Sequence, residues 1–213
     1  MLNIVLLSRM VKGVEGYREQ QAEATKDRIA AAARGLFADR GFAGTTVTAI
    51  SDAAGVPVQT IYSALGNKAG IMARVTEVWM RETKTRALAA ECIQEQDARR
   101  RLRLFAALNR HQLDAGADIL SIYREAARAD PSMAIALEAM MSAREREITK
   151  LLSSVESDLR DGLTVADAVA ITLALCVDAA YATLRDAGWS GARYEQWLGK
   201  ALAGQLLRES PAT

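Results

Sequence analysis

The chain has 213 residues, a formal net charge of +1, 3 prolines and 14 glycines. Half of its residues are hydrophobic and 5% aromatic, and alanine, the residue that costs least inside a helix, makes up about a fifth. This balance excludes a fold of many short strands, a polybasic tail and an acidic disordered chain, and predicts an all-α protein.

The first 22 residues read as a flexible N-terminal extension. Their apolar run from Ile4 to Leu7 is shorter than the core of a secretory signal and no positive charge precedes it. The other reading is an overextended start upstream of Met10. From Thr25 the pattern becomes helical, with Ile29, Ala32, Ala33, Leu36 and Phe37 on one face, Thr25 as N-cap and Gly41 as the stop. A second helix is predicted over Val47 to Ala54 behind a Thr46 cap, ended by Gly55. A third is predicted from Pro57, in its first turn, to Leu65. A fourth runs from Lys68 to about Cys92, with Ile71, Val75, Val78 and Trp79 on one side.

Further helices are predicted over Asp97 to Ala115, Asp118 to Ala129, Ser132 to Ser154, Val165 to Gly188 and Tyr194 to Glu209, with breaks at Gly116, at Asp130-Pro131, at Gly162 and between Gly188 and Gly191. Arg99, Arg100, Arg101 and Arg103 read as a solvated helix face. No apolar run reaches the ~18 to 20 residues that cross a bilayer, so no membrane partner is expected. Cys92 and Cys176 lie far apart without a second thiol near either, which supports reduced thiols, a cytoplasmic setting and neither a disulfide framework nor a zinc site.

The informative stretch is VTAISDAAGVPVQTIYSALGNK. Two short helices can cross there because Ser51 is small, Gly55 makes the turn and Ile61 forms an aliphatic wedge, with Ile50, Ala54, Val56 and Ala64 completing the interface. That is helix-turn-helix spacing, in which the second helix enters a major groove. Outward lie Val58, Gln59, Thr60 and Ser63, small or hydrogen-bonding side chains that can approach base edges; Gln suits the N6/N7 edge of adenine and Val a thymine methyl. Tyr62 and Lys68 can reach phosphates from the flank, and Thr46 and Thr48 offer hydroxyls and free N–H groups at a helix start. Between Thr25 and Val75 six cations face three anions, a local charge of +3 that leaves −2 for the rest.

The segment from Thr25 to Val75 resembles the N-terminal domain of TetR-family transcriptional regulators, on the ordered landmarks Phe37, Gly41, Thr46, Ile50, Ala54-Gly55-Val56, Thr60, Tyr62 and Lys68. The resemblance implies a three-helix helix-turn-helix DNA-binding domain, here 23–70, followed by a helical effector-binding and dimerisation domain, 71–213. It also implies a dimeric repressor released from its operator by a small molecule, with no cofactor. It assigns DNA contacts to Thr46, Thr48, Val58, Gln59, Thr60, Tyr62, Ser63 and Lys68. Five positions depart from the family pattern: Ala49 lacks the acidic side chain of a capping box, Ala64 and Leu65 replace the usual polar or His residue and Phe, and Ala69 and Gly70 replace the customary acidic residue and its neighbour.

Beyond about Arg86 only physical reading applies. The broad apolar surface of the Val165 helix and the stripe Tyr194, Trp197, Leu198, Ala201, Leu202, Gln205 and Leu206 are expected to form a homodimer interface through the last two helices. The other reading is that they complete the core of one chain. Polar residues on apolar faces are effector candidates: His111, Tyr123, Asp178 and Tyr181, with Asn109 and Met140 behind them. A mostly apolar pocket with such anchors suits a small hydrophobic effector. An enzyme is not expected, since one His, no GxSxG and no phosphate-binding glycine loop leave no catalytic set. The alternative function is a helical protein-interaction module without sequence-specific DNA binding.

Overall fold

The computed structural model describes residues 4–82 and 85–209, and every long element in them is helical. The chain divides into two compact units, Met1–Val78 with Ser121–Ala134, and Trp79–Leu120 with Ile135–Thr213. The first extends past the expected boundary at residue 70 and takes in a segment from the middle of the chain.

The first unit begins with α1 (Ile4–Gly44). Helix continues upstream of Thr25, so that residue is not a cap; its hydroxyl donates instead to the Gln21 carbonyl one turn back, at 2.8 Å. Residues 4–22, expected as a loose extension, lie within α1 because nothing between them and Thr25 ends a helix. Gly41 does interrupt it, with φ 72 and ψ 164, a backbone that only glycine adopts without strain. Ile29, Ala33 and Phe37 are buried as the spacing predicts, and so are Ile50, Ile61, Ile71 and Met72 in the helices that follow. Phe37 and Phe42 stack with centroids 5.1 Å apart.

Helix α2 spans Val47–Ala54 and α3 Val58–Leu65. Pro57 stands one residue earlier than expected, as the cap of α3 with φ −56 and ψ 140, an extended conformation outside the helix. α4 (Lys68–Glu82) and α5 (Thr85–Gln94) both fall on the span expected as one helix from Lys68 to about Cys92; residues 83 and 84 between them lie outside the described set. Arg74 binds α4 to α1. It is 6% exposed and meets Asp27 and Glu23, each at 2.6 Å, and Glu77 at 2.9 Å. Burial opposes its charge, but the three carboxylates outweigh that and hold its pKa above the ordinary arginine value. Tyr123, Ile122, Ala126 and Met133 are the buried residues that 121–134 contributes to this unit, and the Tyr123 and Thr76 hydroxyls pair at 3.1 Å.

The second unit contains most of α6 (Ala98–Ala126) and α7 (Pro131–Ser153), then α8 (Val165–Leu175), α9 (Asp178–Asp186) and α10 (Gly191–Leu206). Gly116 distorts α6 without ending it, at φ −140 and ψ 17. A Cβ there would lie 2.6 Å from the Trp79 ring, so the glycine makes room for the indole. Arg101 is 4% exposed rather than on a solvated face. Its guanidinium donates to the Ile93 and Glu95 carbonyls and the Ser154 hydroxyl, satisfying the open end of α5.

The helix expected over 165–188 is broken. Cys176 closes α8 and Val177 is extended, with φ −74 and ψ 139. Arg144 supplies the reason: its guanidinium donates to the Cys176 carbonyl at 2.9 Å, replacing a bond that a continuous helix would make. Val165–Asp186 is long and apolar enough to cross a membrane by composition, with mean hydropathy 1.7, a property that the expected absence of any such run overlooks. Split into two short helices with Ala168, Val169, Thr172, Cys176 and Tyr181 buried, it is part of a protein core. On the α10 stripe, Tyr194, Leu198, Leu202 and Leu206 are fully buried within one chain, whereas Trp197 and Ala201 are half-buried and Gln205 is exposed. After α7 the chain returns to the end of α10, where Arg160 N–H donates to the Leu206 carbonyl at 2.9 Å.

Candidate nucleic-acid interface

Helices α2 and α3 meet across a turn built from three residues. Gly55 takes the left-handed conformation, φ 62 and ψ 38, that lets α2 stop in one residue. Its N–H and that of Val56 both donate to the Ser51 carbonyl, and the Ser51 hydroxyl donates back to the Val56 carbonyl at 2.6 Å. Ser51 is therefore more than a small residue, since it closes the turn from both sides. Helices α2 and α3 pack on each other, and Ile50 and Ile61 are buried at 0% and 1% exposure, with Ala54 and Val56 buried as well.

This packing leaves the opposite face of α3 open. Gln59, Thr60, Tyr62 and Ser63 are exposed and Val58 is half-buried. Tyr62 keeps 47% of its surface free, which is unusual for an aromatic side chain in a small core-forming unit. The Ser63 hydroxyl donates to the Thr60 carbonyl at 3.0 Å. Thr46 caps α2 as expected, its hydroxyl accepting from the Ala49 N–H at 3.1 Å, and Thr48 stands exposed on the first turn. The cap functions without the acidic partner that Ala49 lacks.

Gly70 stands where a side chain is common because a Cβ there would overlap the Leu65 carbonyl oxygen. Its N–H is bound by the Asn67 side chain at 2.9 Å, which caps α4. At least half of the six local cations bind within the chain: Arg74 and Lys26 pair with carboxylates and Lys68 with backbone carbonyls. Arg28 and Arg40 remain exposed. Thr45, which no pattern singled out, is 1% exposed; its hydroxyl lies 2.8 Å from the Gly41 carbonyl and 3.1 Å from that of Leu36, at the end of α1.

The effector candidates are dispersed. Tyr123 belongs to the first unit. In the second, His111 is half-buried on α6, and Asp178, also half-buried, opens α9, where a carboxylate faces the positive end of the helix rather than an apolar wall. Tyr181 donates to Asp114 and packs edge-on to Tyr194 at 4.7 Å. Asn109, 2% exposed, donates to the Tyr194 hydroxyl at 3.0 Å and accepts from Arg144 at 2.9 Å. Asn109, Arg144 and Tyr194, from α6, α7 and α10, thus form one connected network. A cleft of about 460 Å³ opens beside α5 and α6, lined by Glu91, Gln94, Arg100, Arg103, Leu104 and Glu195 among others. Most of its lining residues are charged or amide side chains, and none of the four candidates lines it.

Residues 29–75 match the sequence model of a family described as bacterial regulatory proteins, tetR family. No curated protein sequence matches the chain. Solved structures share its fold at low identity. The fatty acid degradation regulator FadR from Bacillus halodurans is 18% identical with a TM-score of 0.69, over 84% of this chain and 97% of that one. The transcriptional regulator FadR from Bacillus subtilis, in complex with stearoyl-CoA, is 16% identical with a TM-score of 0.67, over 82% and 96%. The ketosteroid transcriptional regulator KstR2 of Mycobacterium tuberculosis is 18% identical with a TM-score of 0.60, over 86% and 95%.

Proposed function

We propose that this chain, whose residues 29–75 belong to the tetR family of bacterial regulatory proteins, is a ligand-responsive DNA-binding transcriptional regulator that acts as a dimeric repressor. The observation that carries the reading is α3: it packs on α2 with Ile61 buried on its inner face, and its outer face presents Gln59, Thr60, Tyr62 and Ser63 to solvent. Base-edge readout needs such a rigid helix with short polar side chains outward. Thr46 and Thr48 at the start of α2 are its backbone-contacting partners. The protein works in the cytoplasm as a binding protein and not as an enzyme.

Two half-sites require two copies. The dimer face is assigned to α8, where Ala166, Ala170 and Ala174 remain exposed one turn apart on a helix that is apolar all round. The effector acts in the second unit. Tyr181 and His111 are its candidate contacts, and the FadR complex with stearoyl-CoA supports a ligand with an apolar part. Effector binding alters α4, which leads from one unit into the other, and a coupling of about 1 to 3 kcal/mol lowers operator affinity several-fold to a hundred-fold.

The test is enrichment of duplexes from a randomised library by the full chain, followed by affinity measurements at rising salt. One sequence should be enriched and its affinity should fall steeply between about 50 and 200 mM salt as counterions are released. Binding of no duplex above background would leave only the protein-interaction reading.

A further inference from the structure

Lys68 opens α4, and the sequence pattern sends its ammonium to a DNA phosphate. The structure turns it inward. Nζ donates to the Phe42 carbonyl at 2.7 Å and to the Thr45 carbonyl at 3.1 Å, and it lies 4.5 Å from the centre of the Phe42 ring. Both carbonyls belong to the joint between α1 and α2, at the C-terminal end of α1, where a positive charge is favoured. Thr45 serves the same joint from the other side through its hydroxyl. The next residue is Thr46, the cap of α2, and Thr48 follows on its first turn. One ammonium therefore fastens the start of α4 to the segment that aims two candidate DNA contacts.

We propose that Lys68 is a positioning residue for DNA binding, which holds the α1–α2 joint in place and does not neutralise a phosphate. The proposal rests on the DNA-binding reading above. Three facts favour this role over a phosphate contact. Two of the three ammonium protons already lie on carbonyls. The side chain is half-buried. The aromatic face of Phe42 holds the cation from a further direction. A lysine so held releases no counterion from DNA, whereas each neutralised phosphate contributes about 0.9 to the slope of log affinity against log salt.

The experiment uses the full chain and a duplex enriched from a random library by the unaltered protein, with Lys68→Met, Lys68→Gln, Thr48→Ala and the Lys68→Met/Thr48→Ala double variant. Lys68→Gln keeps one donor for the carbonyls and so serves where Lys68→Met fails to fold. Affinity should drop about tenfold with the salt slope unchanged, and Thr48→Ala should cost less in the Lys68→Met background than alone, since a displaced hydroxyl has little left to lose. A slope reduced by about 0.9 in either Lys68 variant would assign the ammonium to a phosphate and overturn the proposal. Strictly additive losses with a lowered melting temperature would reduce Lys68 to a stability role and overturn it too. Failure of the unaltered chain to enrich any duplex would remove the DNA-binding reading itself, an outcome separate from both.

Discussion

The Ser51 hydroxyl donates to the Val56 carbonyl across the turn between α2 and α3, at 2.6 Å, while the Ser51 carbonyl accepts from the Val56 N–H at 3.1 Å. Two residues five apart thus bind each other through both of their backbone-facing groups. Val56 is 3% exposed, so its carbonyl has little access to water. Ser51→Ala preserves the size needed for helix crossing but strands that carbonyl, and should destabilise the first unit by about 1 to 3 kcal/mol. Chemical denaturation followed by circular dichroism reads this directly. An unchanged midpoint would show that size alone matters at this position.

Gly41 separates backbone strain from steric contact. At φ +72 any side chain is strained, and a Cβ would stand 2.5 Å from a carboxylate oxygen of Glu125. The carboxylate is the far end of a flexible side chain and can move, so the strain dominates. Gly41→Ala should cost about 1 to 2 kcal/mol, and adding Glu125→Ala should recover only a minor part of it. Full recovery in the double variant would place the cost in the contact instead.

Burial raises the pKa of the Cys92 thiol to about 11 and that of Cys176 to about 12. Thiolate is the reactive form, so neither should react with an aromatic disulfide reagent at pH 8 in the folded protein. Both should react within seconds to minutes after denaturation, as ordinary exposed thiols do. Rapid labelling of the native chain would contradict the packing around the α8–α9 break.

The second unit should also be sensitive to base. Burial, then the hydrogen bond to Asp114, raises the Tyr181 hydroxyl from its ordinary value of 10.0 to about 12. The folded state favours the neutral phenol, so its contribution is full below pH 10 and is lost as pH rises towards 12. Cys176 and Tyr194 shift in the same direction for the same first reason, burial. Urea midpoints should fall across that interval, less steeply in Tyr181→Phe. Equal slopes in the two proteins would mean that Tyr181 does not carry this linkage.

Local chemistry made the DNA-facing unit legible. Helix α2 lies at Val47–Ala54 as predicted because Thr46 starts it with a capping hydroxyl and Gly55 ends it with a left-handed backbone, both strong local preferences. The start of α1 was not legible, since a helix runs on unless something stops it. The α8–α9 break was invisible for another reason: Cys176 and Val177 are unremarkable apolar residues, and the partner that rewards the break, Arg144, is 32 residues away in sequence. Lys68 follows the same rule. Its carbonyl partners lie 23 and 26 residues earlier, and spacing within α4 carries no trace of them. Periodicity predicts which face of a helix is buried; it does not say which polar groups meet there. The effector site was the least legible part, because a buried tyrosine in a network and one in a ligand pocket share the same pattern.

The central claim is that the exposed face of α3 reads base edges, and Gln59 tests it most directly. Enrichment of random duplexes by the unaltered chain and by Gln59→Ala, compared position by position, should show the same site with one or two base positions relaxed, at a cost of about 1 to 3 kcal/mol for the preferred base there. An identical preference profile in both proteins, with affinity lowered equally for every sequence, would contradict base reading by Gln59 and with it the assignment of α3 as the recognition helix.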